Sequence, residues 1–227
     1  MGWNNAIDLA WWSVLAALAA GLGPFFVGRN YLGWANALAA GMMLGAGYLI
    51  MDAGLERAAL LTSAAAALGI GVTFVVHLLL GIGSRPVIAY TASAVHSAPE
   101  GIAMGGAMAL SPAFGLFVVL TFALHNISES AVVISTLERG GYRRGRATLL
   151  AIGARATQIA LAILAYLLAI TSDVALSVTL GFSFGALVYL CIAELLPDAY
   201  HVAGRTSIAV VASVAAGVVS ILGGAVH

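Results

Sequence analysis

Residues 96–101 read HSAPEG and residues 125–130 read HNISES, and both strings lie inside stretches that are otherwise almost wholly apolar. Each string places a histidine four residues before a glutamate. In a helix, residues i and i+4 lie one turn apart on the same face, so each string directs an imidazole and a carboxylate toward one spot. Ionisable side chains are costly to bury in hydrocarbon, and at membrane depth they indicate an ion or substrate pathway.

The composition outside these strings is typical of a membrane protein. Of the 227 residues, 62% are hydrophobic and 8% are charged, and the mean hydropathy is +1.06. Apolar stretches of about 20 residues, the length needed to cross a bilayer, recur from end to end. We predict an all-α polytopic membrane protein that forms a single domain over residues 1–227. Its transmembrane helices, about eight in number, are expected near 7–28, 33–54, 58–80, 86–110, 113–137, 146–170, 175–197 and 205–224.

The arginines predict the orientation of these helices. All nine basic residues are arginine. With the N-terminus outside, seven of them lie in cytoplasmic loops and only Arg57 lies in an outer loop, as the positive-inside rule favours. We therefore expect a multi-pass protein of the cell (inner) membrane with both termini outside the cytoplasm. The ninth arginine, Arg155, falls inside the sixth predicted helix, where its guanidinium stays charged and requires an anionic partner.

A weak internal repeat predicts how the helices are arranged. Gly41-x-x-x-Gly45 in the second predicted helix resembles Gly181-x-x-x-Gly185 in the seventh. These two helices cross the membrane in opposite directions, as inverted repeats require. Small residues four apart also serve ordinary helix packing, and that alternative stays open. The repeat predicts a 3+2+3 inverted-repeat arrangement in which helices four and five form the unpaired central pair.

The two strings are predicted to meet across a helical hairpin. Ser111-Pro112 is the only turn signal between the fourth and fifth helices. In an antiparallel hairpin, residues at similar distances from the turn lie at similar depths. Glu100 is therefore expected beside His125, and His96 beside Glu129. At 1.5 Å per residue the two levels lie about 6 Å apart, so the four side chains can converge on a small volume. Imidazole and carboxylate are ligands for Zn²⁺, Fe²⁺ or Mn²⁺, and such a cation would neutralise the buried carboxylates.

Both strings resemble signatures of the ZIP (Zrt/Irt-like protein) family of divalent metal transporters, especially its GufA-like bacterial branch. HSAPEG is similar to the family's fourth-helix signature H-N-x-P-E-G, and HNISES to its fifth-helix signature H-N-I-P-E-G. Residues 185–199 resemble the seventh-helix pattern G-A-x-x-Y-x-x-x-x-E-L-x-P-E-A. The resemblance implies a transporter that moves a divalent metal ion into the cytoplasm by alternating access. Zinc is the first expectation for the transported substrate, with iron, manganese and cadmium as alternatives.

By matching position, the resemblance assigns six metal-site residues, with the last on the cytoplasmic exit route: His96, Glu100, His125, Glu129, Asn126 and Glu194. Many members of the family bind a pair of metal ions, and this chain departs from the family at positions that hold the second ion. Ser97 stands in place of an asparagine, and Gln158 stands in place of the sixth-helix glutamate that bridges a second ion. We hypothesise that Arg155, one turn before Gln158, neutralises Glu100 or Glu129 in place of that ion. The alternative is that Arg155 extends to the cytoplasmic face.

Three further polar residues lie near the predicted cytoplasmic ends of the helices, and two other functional classes stay open. His77 is predicted to be an interfacial or hydrogen-bonded residue, and Asp198 and His201 are candidates to receive an outgoing metal with Glu194. We expect a transporter and no enzyme, with divalent metal ions and the lipid bilayer as partners and neither an organic cofactor nor a nucleic acid; a homodimer stays open. One alternative is an intramembrane zinc-dependent hydrolase, although its common H-E-x-x-H motif is absent. Another is a proton-coupled transporter of a small solute.

Overall fold

A computed structural model describes residues 2–26, 29–80, 86–202 and 204–225. Every regular element in these ranges is helical. A short 3₁₀ helix spans Ala20–Phe26, and a π-helical segment spans Cys191–Leu195. The α-helices are α1 (Gly2–Ala19), α2 (Arg29–Leu80), α3 (Pro86–Leu110), α4 (Pro112–Arg139), α5 (Arg144–Gly153), α6 (Ala156–Ala169), α7 (Asp173–Leu190), α8 (Leu196–Val202) and α9 (Arg205–Gly224).

Several of these helical stretches are suited to a bilayer. Within the described ranges, six are long and apolar enough to cross a membrane: Asn4–Phe26, Gly33–Leu79, Pro112–Arg139, Arg144–Ala169, Asp173–Tyr200 and Thr206–Gly224. The chain is therefore an all-α, multi-pass membrane protein, and the class predicted from the sequence is confirmed at this level.

Helix α2 folds back on itself near its middle. Its 52 residues would extend about 78 Å as a straight helix, far beyond a hydrocarbon core of about 30 Å. Ala58 instead has φ −154° and ψ 79°, outside the helical region. Thr62 Oγ1 donates a hydrogen bond of 2.8 Å to the carbonyl oxygen of Gly54, although residues eight apart in a straight helix are separated by about 12 Å. The fold-back at Ala58 lies at the predicted boundary between helices 33–54 and 58–80.

Two of the predicted helices are interrupted. The helix expected at 146–170 is divided into α5 and α6 by a turn at Ala154 and Arg155. The helix expected at 175–197 runs from α7 through the π-helical segment into α8. Pro197 explains the second interruption, because it has no backbone N–H and its ring displaces the carbonyl group four residues earlier. The wider hydrogen-bond spacing of a π-helix accommodates that displacement.

Glycines on α2 and α7 allow the closest helix packing. Gly41 and Gly45, in the first half of α2, lie against α9, whereas Gly181 and Gly185 of α7 lie against the second half of α2. A Cβ atom on any of the four would overlap a backbone carbonyl oxygen of the facing helix. Small residues at these positions let the helix backbones approach closely, as is common in membrane proteins.

Helices α3 and α4 form the predicted antiparallel hairpin. Ser111 is the N-cap of α4, where its Oγ accepts a hydrogen bond of 3.1 Å from the backbone N–H of Phe114, and Pro112 occupies the first helical turn. Beside this turn, the space between the two helices and their neighbours is filled by a group of fully buried apolar side chains, which we call the apolar plug: Met104, Met108, Phe114, Val118 and Phe122.

Candidate metal centre

Glu100, His125 and Glu129 converge in the centre of the α3–α4 hairpin, and we call them the central cluster. His125 Nε2 lies 3.0 Å from Oε1 of Glu100 and 3.2 Å from Oε2 of Glu129. One ligand atom from each residue lies within 4.8 Å of the others. The side chains of Glu100 and His125 are 1% and 2% exposed, and that of Glu129 is 14% exposed. One imidazole and two carboxylates form a ligand set suited to a divalent transition metal ion.

Arg155 is fully buried beside the central cluster. Its Nη1 and Nη2 each lie 2.8 Å from one carboxylate oxygen of Glu129, which makes the ion pair bidentate. Nη1 also donates to Oδ1 of Asn126 at 3.2 Å, Nη2 donates to Oγ of Ser93, and Nη1 lies 3.8 Å from Oε2 of Glu100. The guanidinium therefore stays in the core, where it places a fixed positive charge next to both carboxylates.

Two amide side chains extend this hydrogen-bond network. Gln158 Nε2 donates to Oε2 of Glu100 at 2.8 Å, and Gln158 Oε1 accepts from Nδ2 of Asn126 at 3.0 Å. Asn126 thus uses its oxygen and its nitrogen for contacts with Arg155 and Gln158. Ser97 is also buried, and its hydroxyl donates to the backbone carbonyl of Ser93 at 2.8 Å.

The structure places His96 and Glu194 together and apart from the central cluster. His96 Nε2 lies 3.2 Å from Oε1 of Glu194, and His77 Nδ1 lies 2.7 Å from the same oxygen. We call these three residues the His77 cluster. The sequence predicts an interfacial or hydrogen-bonded role for His77 and does not predict this cluster. Because His77 and Glu194 are 117 positions apart, only tertiary packing brings them together, and no local motif could have revealed the contact.

A polar cavity of about 160 Å³ connects the two clusters. Glu129 of the central cluster lines it, as do His96 and Glu194 of the His77 cluster. Its other polar lining residues are Asn36, Ser93, Thr136 and Asp198. Asp198 therefore lies on the wall of this cavity, as expected for a residue near Glu194, whereas the side chain of His201 lies outside the part that the structure describes.

The two ends of the α3–α4 hairpin differ in access to the central cluster. The polar cavity extends from Glu129 to Ala89 and Thr136, toward the first residues of α3 and the last residues of α4. In the opposite direction, the apolar plug separates the central cluster from the turn at Ser111. The polar cavity therefore approaches the central cluster from the side of Thr136, whereas buried apolar side chains lie on the side of Ser111.

These observations define a multi-pass membrane protein that gathers a histidine and two carboxylates inside its helical core. No model of a known protein family matches the chain. A protein of Arabidopsis thaliana named "Putative zinc transporter" is 30% identical over 237 aligned residues, which cover 94% of this chain. The chain spans 38% of the length of that relative. The similarity thus includes nearly all of the present chain but less than half of the plant protein.

Proposed function

We propose that the chain is a ZIP-like transporter that carries a divalent metal ion, with Zn²⁺ as the first expected substrate, across the membrane. The observation that carries the proposal is the central cluster, whose ligand atoms lie within 4.8 Å of one another inside a bundle of apolar helices. All three ligands come from the strings HSAPEG and HNISES. The name of the plant relative, which is similar over 94% of this chain, supports metal transport in general.

The charges around the central cluster favour one bound ion. Glu100 and Glu129 supply two negative charges and Arg155 supplies one positive charge, so with a neutral His125 the metal-free group has one net negative charge. One divalent ion changes this sum to one net positive charge, whereas a second would add two more in a poorly solvated core. We therefore infer a mononuclear centre in which the guanidinium takes the place of the second cation.

The accessible side of the cluster supports inward transport by alternating access. The polar cavity leads from Glu129 toward the end of α4 at Arg139, and the predicted orientation places that end in the cytoplasm. On the other side, the apolar plug blocks access from the turn at Ser111. We infer that the structure corresponds to an inward-open state of the transport cycle. In the outward-open state, helices must separate around the apolar plug instead.

The glycine contacts support eight spans in a 3+2+3 arrangement. The two halves of α2 count as spans two and three, α5 with α6 as span six, and α7 with α8 as span seven. Gly41 and Gly45 join span two to span eight, whereas Gly181 and Gly185 join span seven to span three. An inverted repeat that relates spans one to three to spans six to eight exchanges these two contacts. With eight spans, both termini lie outside the cytoplasm of a cell (inner) membrane.

Uptake of metal ions into liposomes tests the proposal. The purified full chain is reconstituted around a metal-sensitive dye, and initial rates are compared for Zn²⁺, Fe²⁺, Mn²⁺ and Cd²⁺. We expect Glu100→Gln and Glu129→Gln each to reduce the rate at least about tenfold. Replacing a residue that only hydrogen-bonds to a metal ligand commonly lowers metal affinity or activity by about 10- to 100-fold, and replacing a ligand should cost at least as much.

A matched control is available at the other end of the molecule. Glu56 is an exposed carboxylate that lies before the fold-back of α2, and Glu56→Gln should leave the uptake rate unchanged. Normal uptake by both Glu100→Gln and Glu129→Gln would refute the assignment of the central cluster.

A further inference from the structure

We propose that the turn between α4 and α5 binds the headgroup of an anionic phospholipid. The group that it recognises is a phosphate diester at the membrane surface. Four exposed arginines form this site, which we call the arginine turn: Arg139, Arg143, Arg144 and Arg146. The proposal concerns a partner of the protein and does not rest on the proposed transport function.

The two helices that it joins place the arginine turn at the membrane surface. The stretches Pro112–Arg139 and Arg144–Ala169 are both long and apolar enough to cross a membrane, and only residues 140–143 lie between them. Four extended residues span at most about 14 Å, so this connection cannot reach far into solvent. Its guanidinium groups therefore lie at the level of the lipid headgroups. A lipid is thus a nearer partner than a soluble acidic protein.

The arginine turn carries a local excess of positive charge. Residues 138–146 contain four arginines and one carboxylate, that of Glu138, so four positive charges and one negative charge leave a net charge of three. Arg144 Nε lies 2.7 Å from Oε1 of Glu138, and this pair neutralises one arginine. Arg139 donates to a backbone carbonyl and a hydroxyl of its own helix, neither of which is charged. An excess of this kind attracts anionic lipids.

Arg143 and Arg146 have donors available for a phosphate. The guanidinium carbon of Arg146 lies 5.3 Å from the centre of the Tyr142 ring, and this cation–π contact leaves the guanidinium without a carboxylate partner. Arg143 is the N-cap of α5, and its side chain makes no capping hydrogen bond. The fork of a guanidinium matches two oxygens of a phosphate group, so each of these side chains can bind a headgroup through two parallel hydrogen bonds.

The backbone holds these side chains on a fixed base. The N–H groups of Gly140, Gly141 and Tyr142 donate to carbonyl oxygens near the end of α4. Gly141 has φ 92°, a conformation that glycine adopts without steric cost. The Tyr142 side chain packs against a buried apolar cluster that includes Leu137 and Ala147. A turn that is already formed loses less conformational entropy when it binds a ligand.

The face of α5 beside the arginine turn suits the acyl chains of a lipid. Leu149 is 71% exposed, and it shares a helix face with Arg146 because it lies three residues further along. Gly153, another four residues along, has open space where a side chain would be. This face therefore presents charge at the membrane surface and apolar groups toward the hydrocarbon, in the same order as a phospholipid does.

Counting bound lipids by native mass spectrometry tests the proposal. The purified full chain in detergent is titrated with phosphatidylglycerol and, separately, with phosphatidylcholine of the same acyl chains. We expect the wild-type chain to bind phosphatidylglycerol more tightly. Arg143→Gln should weaken that binding about fivefold, and Arg143→Gln with Arg146→Gln at least about tenfold, because an arginine near an anionic lipid surface contributes about a fivefold change. Binding of phosphatidylcholine should stay unchanged, which also shows that the variants are folded.

Arg57→Gln is the matched control. Arg57 is also exposed, but it pairs with Asp173 at 3.2 Å, before the first turn of α7, and its replacement should keep the preference for phosphatidylglycerol. Inorganic phosphate at millimolar concentration separates a lipid site from a site for a free anion, and it should not displace the lipid.

Four results would each overturn the proposal. They are equal binding of both lipids by the wild-type chain, an unchanged preference in the double variant, a loss in Arg57→Gln as large as that in Arg143→Gln, and displacement of the lipid by inorganic phosphate. None of these measurements involves a metal ion, so the proposed transport function stands or fails independently of them.

Discussion

Replacing Arg155 by methionine should destabilise the metal-free protein and make its stability depend on metal. The guanidinium is fully buried and makes two contacts of 2.8 Å with the carboxylate of Glu129, which is itself 14% exposed. Removing one partner of a buried ion pair costs about 3–5 kcal/mol, because the other charge stays buried without compensation. A pair of charges 4 Å apart in a protein environment interacts by about 4 kcal/mol, which is in the same range.

The lower end of that range applies here. Glu129 lines the polar cavity, so solvent screens part of its unpaired charge, and Ser93 Oγ still donates to it at 2.8 Å. We therefore expect Arg155→Met to lose about 3 kcal/mol of unfolding free energy, which is roughly a hundredfold change in the unfolding equilibrium. For a chain of this size such a loss lowers the melting temperature by about 6–12 °C.

Metal should restore most of this stability, because a divalent ion at the central cluster replaces the lost positive charge beside Glu129. The assay is thermal unfolding of the purified protein in detergent, with a chelator and with saturating Zn²⁺. Zinc should raise the melting temperature of Arg155→Met more than that of the wild-type chain. Arg155→Lys is the matched control, since lysine keeps the charge but not the two parallel hydrogen bonds, and it should fall between the two.

Two results would refute this reasoning. The first is an Arg155→Met protein that melts at the wild-type temperature in chelator, which would show that the guanidinium does not balance Glu129. The second is equal stabilisation of both proteins by zinc, which would show that the metal does not occupy the position next to that carboxylate.

Further measurements test the number of ions and the orientation. In crystals soaked with Zn²⁺, anomalous scattering should show one ion at the central cluster, and two ions bridged by Glu100 and Glu129 would contradict a mononuclear centre. In intact cells, a thiol reagent that does not cross the membrane should label Ala113→Cys but not Arg143→Cys. Both positions are exposed, but Ala113 lies at the start of α4, on the predicted outer side, and Arg143 lies just after its end, on the predicted cytoplasmic side. The native Cys191 is buried and contributes little background; the reverse labelling pattern would show that the orientation is wrong.

Features that depend on local sequence could be predicted, and those that depend on distant contacts could not. Ser111 and Pro112 carry a strong turn signal, and the structure ends α3 and begins α4 there. The polar residues before Ala58 likewise indicated a boundary at the point where α2 folds back. In contrast, neither proline nor an internal run of polar residues indicated the turn at Ala154 and Arg155. Hydropathy only measures whether a stretch can cross a membrane, so it does not detect a short interruption within one.

The candidate site shows the same division. His125 and Glu129 share a helix face because they are four residues apart. Glu100 and His125 lie at similar distances from the hairpin turn, and Oε1 of Glu100 is 3.0 Å from Nε2 of His125. The sequence predicts that Arg155 pairs with Glu100 or Glu129, and in the structure the bidentate pair is with Glu129. Depth alone could not choose between them, because helix rotation and the turn before α6 set the direction of the guanidinium.

The placement of His96 follows from that choice. Reflection about the hairpin turn puts His96 level with Glu129, and in the absence of other partners an imidazole there would contact the carboxylate. Arg155 instead occupies both oxygens of Glu129, while the π-helical segment presents Glu194 on another side of His96, at 3.2 Å. Glu129 already has Arg155, Ser93 and His125 as partners, and His96 contacts a second carboxylate instead. The residue at position 155 thus influences which histidine contacts which glutamate, although it is not itself a metal ligand.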